Sequence, residues 1–201
     1  MKDNNMKQTI LSVHDEEVPW KIIQLYFKGR HLTRCIRHQL ESYNHFVNYQ
    51  IQKTIDMFNP VVIHSEHDYN PEVNKYSLEL VITFKNFHIY RPQIHENNGA
   101  TKTMFPHEAR LRNFTYASAM TVDLDIKIFQ RYGENLQHSE IHYKILPKIH
   151  IGKLPIMIKS SICVLTQNNH LNANITGECR FDAGGYFIIN GSEKTVIAQE
   201  R

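Results

Sequence analysis

The 201-residue sequence predicts an α+β fold in which N-terminal helices, one of them long and amphipathic, pack on a mixed, largely antiparallel sheet. Apolar residues recur at steps of three and four over residues 32–58, as they do on one face of a helix. Apolar and polar residues alternate in several runs between residues 76 and 149, a pattern typical of half-buried strands. Asn190-Gly191 stands between two β-prone runs and predicts a two-residue hairpin turn.

The composition indicates one globular domain over residues 18–201, preceded by a mobile tail over residues 1–17, which is polar and unpatterned. A hydrophobic fraction of 41% with 21% charged residues excludes a disordered chain. No run of about 18 apolar residues is present, so no membrane contact is expected. The N-terminus lacks the apolar region of a secretory signal. Three widely spaced cysteines indicate reduced thiols in an intracellular protein.

Two helices are predicted before the sheet. Pro19 suits the first turn of a short helix that ends at Gly29, because its missing N–H would have no partner there. The second helix covers residues 32–58, with a break allowed near residues 42–44. Asn59-Pro60 ends it, because the residue before a proline is disfavoured in a helix.

The sheet is predicted from four alternating runs, at residues 76–84, 87–90, 119–129 and 140–149. A short helix is predicted from Pro106. At the end of the chain, residues 186–189 and 194–198 are predicted to pair as strands around the turn at Asn190-Gly191.

No metal site is predicted. The thirteen histidines include two close pairs, but neither has cysteine partners at zinc-finger intervals. Asp123 and Asp125 share the wet face of one strand without a third ligand, and are expected to be solubilising charges. A third candidate group consists of Cys163, His170 and Cys179. Three ligands are too few for a closed structural metal site, and the sequence intervals between them differ from those of a zinc knuckle.

The chain shows no set of residues typical of an enzyme active site. Gly185 to Lys194-Thr195 superficially resembles a phosphate-binding P-loop, but the spacing differs and a strand is predicted where a helix would be needed. Residues 101–160 carry nine Lys or Arg and five Asp or Glu. This basic excess is compatible both with an ordinary solvated surface and with contact to a phosphate backbone.

The closing sequence GGYFIINGSEKTVIAQER resembles a signature near the N-terminus of the second-largest subunit of multisubunit DNA-directed RNA polymerases. The similarity is to the eukaryotic, archaeal and large-DNA-virus forms. Only Ala183 departs from the pattern, which has proline there and a more rigid turn. Three earlier blocks resemble the same family in the same order, at residues 32–47, 105–116 and 152–160, with Phe105 where the family has threonine.

The resemblance implies that the chain is the protrusion, a lobe on the wall of the cleft that encloses DNA and the RNA–DNA hybrid. It implies an incomplete protrusion domain, without the lobe and all later regions of a subunit about five times longer. The complete polymerase is a nucleotidyltransferase, whereas no catalytic residue is expected in this fragment. Four glycine-turn residues are expected to shape the closing motif: Gly184, Gly185, Asn190 and Gly191.

Nucleic acid is expected to be held through its phosphates, which requires basic side chains but little sequence readout. The resemblance and the charges together suggest five contacts, in decreasing order Lys194, Arg201, Lys159, Arg110 and Arg112. Expected partners are the largest polymerase subunit, the remainder of the second subunit, the DNA template and the RNA–DNA hybrid. No cofactor is expected in this fragment, since Mg²⁺ and Zn²⁺ belong to the complete polymerase.

An intracellular location is implied, in the nucleus or, for a viral source, in the virion or a cytoplasmic viral factory. The alternative is a free-standing, non-catalytic interaction or nucleic-acid-binding module derived from the same subunit.

Overall fold

Two helical stretches open the computed structural model, which describes residues 17–28, 32–64, 67, 69–168 and 170–200. Helix α1 covers Glu17–Lys28. A continuous helical rod follows, composed of a 3₁₀ turn (Leu32–Ile36), α2 (Arg37–His45), a π-helical turn (Phe46–Gln50) and α3 (Ile51–Met57). The predicted long helix is therefore confirmed, and its irregular turn begins just after the allowed break. The predicted tail and Gly29 lie outside the described residues, except Glu17, which begins α1.

Strands and short helices alternate through the rest of the chain. In chain order they are β1 (Val61–His64), β2 (Tyr69–Asn70), β3 (Lys75–Tyr76), β4 (Leu78–Ile89), β5 (Gln93–His95), β6 (Thr101–Thr103), α4 (Pro106–Leu111), β7 (Ala117–Tyr132), β8 (His138–Pro155), α5 (Val164–Gln167), α6 (Ala173–Thr176), β9 (Phe187–Ile189) and β10 (Ser192–Lys194).

The main sheet has the strand order β1-β4-β7-β8, and each neighbouring pair is antiparallel. Three two-stranded ribbons, β2–β3, β5–β6 and β9–β10, complete the β structure of the described residues. The four predicted strand runs lie within β3 to β8, and β4 joins two of them across a register shift between Phe84 and Phe87. The α+β prediction is thus confirmed.

Two clusters of buried side chains hold the helices, the sheet and the closing hairpin together. The rod contributes Leu40, Tyr43 and Val47 to one cluster, where they meet Met157. The other cluster joins β7, α4 and β9, and contains Ile94, Met104, Ala109, Tyr116, Ile156, Ile158, Cys163 and Ile188. The predicted apolar stripe of the rod is buried in its middle, half-buried at Ile51 and Ile55, and exposed at its end, where Phe58 is 69% exposed.

Candidate nucleic-acid interface

The closing hairpin forms around the predicted two-residue turn. Asn190 has φ 49° and Gly191 has φ 78°, and Ser192 pairs directly with Ile189. Two consecutive positive φ values match the twist of the flanking strands, which explains the Asn-Gly pair.

The predicted return strand at residues 194–198 is wrong, because pairing covers Ser192–Lys194 and residues 195–200 continue without a strand. A two-residue turn at Asn190-Gly191 places Ser192 opposite Ile189, so the return strand begins at Ser192 and not at Lys194. The Gly185 N–H, which a longer ladder would direct towards residue 196, donates instead to Ile158 O (2.9 Å). The ladder therefore does not extend beyond Lys194.

The hairpin turn is anchored on the residues that follow α4. The Gly191 N–H donates to Phe114 O (3.0 Å), and the Asn190 N–H donates to Thr115 Oγ1 (3.1 Å). A Cβ at Gly191 would lie 2.6 Å from Asn113 Oδ1, so this close approach requires glycine. These contacts fix the direction in which the hairpin projects.

The two positions before β9 also require glycine. Gly184 and Gly185 both have φ 80°, where residues with a side chain are disfavoured. A Cβ on Gly184 would lie 2.7 Å from Ile158 O, and one on Gly185 would lie 2.9 Å from Ile36 Cδ1. The glycine pair therefore lets the closing motif pack closely against both the core and the helical rod.

Arg110 lies at the centre of an ion-pair network that joins α4 to the closing motif. Its Nη1 donates to both carboxylate oxygens of Glu178 (2.9 and 3.1 Å), and its Nε donates to Glu193 Oε1 (2.8 Å). Its Nη2 donates to the Tyr186 hydroxyl (2.6 Å), which in turn donates to Asp182 Oδ2 (2.5 Å). Burial raises the pKa of Tyr186, and the Asp182 hydrogen bond adds to this shift.

Arg112 belongs to a second network on the outer side of α4. Its guanidinium donates to both oxygens of Glu96 (2.6 and 3.0 Å) and to Glu108 (3.1 Å), and it lies over the Phe114 ring. Lys102 Nζ also lies 2.7 Å from Glu108. The hydrogen bond from Arg112 lowers the pKa of Glu96 to about 2.

The other three predicted phosphate contacts differ in their surroundings. Lys159 has φ 63°, and its Nζ donates to the Asp182 carbonyl, so it supports the turn before Gly184. Lys194 is exposed at the end of β10 and has no ion pair with any described residue. Arg201 lies outside the described residues.

An apolar groove runs beside Lys194, a feature that sequence patterns did not indicate. It lies between α2, the hairpin and the segment after β10, with two adjoining cavities of about 430 and 410 Å³. Tyr43, Phe46 and Phe187 contribute to both cavities, as does Val196. Sequence patterns could not indicate the groove because its walls come from three distant parts of the chain, residues 38–46, 154–157 and 187–198.

The carboxylates that sequence analysis considered as metal ligands have protein partners. Asp123 accepts hydrogen bonds from the Lys148 N–H (2.9 Å) and from Asn86 (3.2 Å), while Asp125 pairs with Lys85. Across the described residues, no group of three or more His, Cys, Asp or Glu is arranged to hold a metal ion.

None of the helices in the described part of the chain combines the length and apolarity needed to cross a membrane.

Comparison with known proteins identifies similar chains over nearly the whole sequence. Residues 34–201 match the family model described as RNA polymerase beta subunit. DNA-directed RNA polymerase II subunit 2 of Arabidopsis thaliana is 37% identical over 193 residues, covering 93% of this chain and 16% of that protein. The archaeal subunit Rpo2N of Methanothermobacter thermautotrophicus (strain Delta H) is 33% identical, covering 90% of this chain and 30% of that protein.

A viral protein is also similar. The probable DNA-directed RNA polymerase II subunit RPB2 homolog of Invertebrate iridescent virus 3 is 32% identical, covering 90% of this chain and 14% of that protein. The chain thus spans about one sixth of the length of its eukaryotic and viral relatives.

Proposed function

This chain belongs to the RNA polymerase beta subunit family, as the N-terminal region of a second-largest subunit, and we propose that it forms the protrusion wall of the nucleic-acid cleft in a DNA-directed RNA polymerase. In this role it holds DNA and the RNA–DNA hybrid through phosphates, while other parts of the polymerase carry out nucleotidyl transfer. The family match over residues 34–201 is the observation that carries the proposal.

The hairpin is the element best suited to contact a phosphate backbone. Its turn is fixed by hydrogen bonds to Phe114 and Thr115, so the direction of β10 is set by the core. Lys194 lies at the end of this strand, exposed and without a described acidic partner. Because the backbone that carries this lysine is already ordered, binding a phosphate requires only the side chain to be ordered.

The other predicted contacts among the described residues are engaged within the fold. Arg110 already donates to Glu178, Glu193 and Tyr186, and Arg112 donates to Glu96 and Glu108. Binding a phosphate at either arginine would require one of these bonds to break. We therefore place Lys194 first, assign Arg110 and Lys159 mainly to support of the closing motif, and assign Arg112 to its network with Glu96 and Glu108.

The same proposal extends to the assembly. The partners are the largest subunit and the remainder of the second subunit, and the location is intracellular, either nuclear or in a viral factory. Mg²⁺ and Zn²⁺ would be held by other parts of the polymerase.

Binding of the full chain to a short RNA–DNA hybrid tests the role of Lys194. We expect Lys194→Glu to weaken binding severalfold and to reduce the slope of log affinity against log salt by about 1, since one phosphate contact is lost. Lys53→Glu is the matched control, because Lys53 is also exposed but lies on α3, away from the hairpin. Equal effects of the two substitutions would contradict a contact at Lys194.

Assembly with a largest-subunit homologue tests the wider proposal. We expect the chain to co-purify with that subunit when the remainder of the second subunit is supplied as a separate polypeptide. Failure to assemble, combined with retained nucleic-acid binding, would instead favour a free-standing binding module.

A further inference from the structure

The sequence contains two Asn-Gly pairs, and each lies in a turn between paired strands. Asn190-Gly191 joins β9 to β10, and Asn98-Gly99 lies between β5 and β6. An asparagine that precedes glycine is prone to spontaneous deamidation, because glycine has no side chain to hinder attack by its backbone nitrogen. The same chemistry is therefore available in both turns, and their surroundings decide where it occurs.

Deamidation begins when the glycine nitrogen loses its proton to hydroxide and attacks Cγ of the asparagine. The N–Cγ bond forms, the Cγ–Nδ2 bond breaks and ammonia leaves, which gives a cyclic succinimide. Water then opens this ring at either carbonyl, so aspartate or isoaspartate is formed without an oxidant or reductant. Both the glycine N–H and the asparagine side chain must first leave the hydrogen bonds that hold them in the fold.

The hydrogen bonds that hold Asn98-Gly99 are local to its turn. The Gly99 N–H donates to Glu96 O (2.9 Å), and the Ala100 N–H donates to Asn98 Oδ1 (3.0 Å). Asn98 and Gly99 are exposed, and a Cβ built on Gly99 would meet no other part of the chain within 4 Å. These bonds can therefore break without disturbing the core, as is typical of exposed turns.

Tertiary contacts hold Asn190-Gly191. The Gly191 N–H donates to Phe114 O (3.0 Å), and the Thr115 hydroxyl donates to Asn190 Oδ1 (3.1 Å). The surroundings of Gly191 are crowded, because a Cβ there would lie 2.6 Å from Asn113 Oδ1. Attack at Asn190 therefore requires the hairpin turn to detach from the residues that follow α4, which is a larger opening than that of an isolated turn.

We propose that Asn98 is a deamidation site of the folded chain, and that the tertiary contacts of the hairpin protect Asn190 from the same reaction. The reaction at Asn98 places a carboxylate in the same turn as Glu96, and its isoaspartyl form lengthens the main chain of the turn by one carbon atom. The hairpin that carries Lys194 keeps both its sequence and its direction.

Incubation of the full chain in a mildly alkaline buffer, followed by peptide mapping with mass spectrometry, measures the rate at each asparagine. The same incubation in urea gives the rate at each site in the unfolded chain, and the ratio of the two rates is the protection at that site. Because the chemistry is slow compared with the opening of a turn, protection reports the fraction of molecules in which the site is open.

We expect isoaspartate to accumulate at Asn98 in the folded chain, and protection at Asn190 to exceed protection at Asn98 by at least about tenfold. A smaller difference, or stronger protection at Asn98, would overturn the proposal. This comparison is made within the unsubstituted chain, so it does not depend on how any variant folds.

Two substitutions test the cause of the difference. Thr115→Val removes the hydroxyl that holds the Asn190 side chain, so it should accelerate the reaction at Asn190 severalfold and leave the rate at Asn98 unchanged. Thr83→Val on β4 is the matched control, because it lies on the main sheet away from both turns. Gly99→Ala should slow the reaction at Asn98 in both the folded and the unfolded chain. An unchanged rate at Asn190 in Thr115→Val would contradict protection by this contact.

Discussion

Arg110 lies in α4 and Arg112 directly follows that helix, but the structure predicts very different consequences when each is removed. The Arg110 side chain is 22% exposed, and it neutralises Glu178, whose side chain is only 9% exposed. The Arg112 side chain is 37% exposed, and its partner Glu96 is 28% exposed and also contacts Lys102. The substitutions Arg110→Ala and Arg112→Ala therefore compare one residue type in two environments.

The expected magnitude for Arg110→Ala follows from the carboxylate that it leaves behind. Removing one partner of a fully buried ion pair costs about 3 to 5 kcal/mol. Because Arg110 is partly exposed, water can replace some of its contacts with Glu193, and the expected loss falls to about 2 to 4 kcal/mol. Arg110→Lys keeps the charge, but one ammonium group cannot donate in the three directions in which the guanidinium reaches Glu178, Glu193 and Tyr186, so an intermediate loss is expected.

Urea unfolding followed by circular dichroism measures these differences. We expect Arg110→Ala to lower the midpoint clearly while the slope stays constant, and Arg112→Ala to lower it much less. The reasoning is refuted if both alanine variants lose the same stability, or if Arg110→Lys is as unstable as Arg110→Ala.

Three further predictions concern the turn, the core and the response to acid. Gly191→Ala should cost about 2 to 4 kcal/mol of unfolding free energy, because it adds a clash with backbone atoms to the strain of φ 78°. Gly99→Ala should cost only about 1 kcal/mol, because nothing lies within 4 Å of the new Cβ. Chemical denaturation of the two variants measures the difference. Tyr116→Phe should cost about 1 to 3 kcal/mol in thermal unfolding, because the buried Val164 N–H loses its acceptor at 3.0 Å, and an unchanged midpoint would contradict this. The pKa of Glu96 falls from its ordinary value of 4.5 to about 2 in the folded chain. The ionised Glu96 carboxylate therefore stabilises the fold above pH 4.5, and this stabilisation is lost as the pH falls towards 2. Glu96→Gln should flatten the pH dependence of the unfolding free energy in that range.

Much of the fold could be predicted from sequence because its elements follow local rules. The rod follows from apolar periodicity over residues 32–58, and the main strands follow from alternation. The hairpin turn follows from the backbone freedom of Asn190-Gly191, which the positive φ values of both residues confirm. The return strand begins at Ser192, earlier than predicted, because the two-residue turn pairs Ser192 with Ile189. The β propensity of residues 195–198 could not show that the Gly185 N–H bonds to Ile158 and so does not extend the ladder beyond Lys194.

The candidate site was less accessible to sequence reasoning. Arg110 was selected as a basic residue, but the acids that engage it are 68 and 83 residues away in the chain. No spacing rule relates such positions, so a residue that supports the hairpin could not be distinguished from one free to bind phosphate. The different surroundings of the two Asn-Gly pairs were equally hidden, since the motif itself is the same in both.

The sequence by itself determined the helical rod, the strands, the tight turn and the family, because each depends on residues that are close together in the chain or on an ordered set of motifs. The tertiary structure alone decided which charges are already paired, where the closing ladder stops and which Asn-Gly pair is anchored by distant residues. These outcomes depend on contacts between segments that only folding brings within hydrogen-bonding distance.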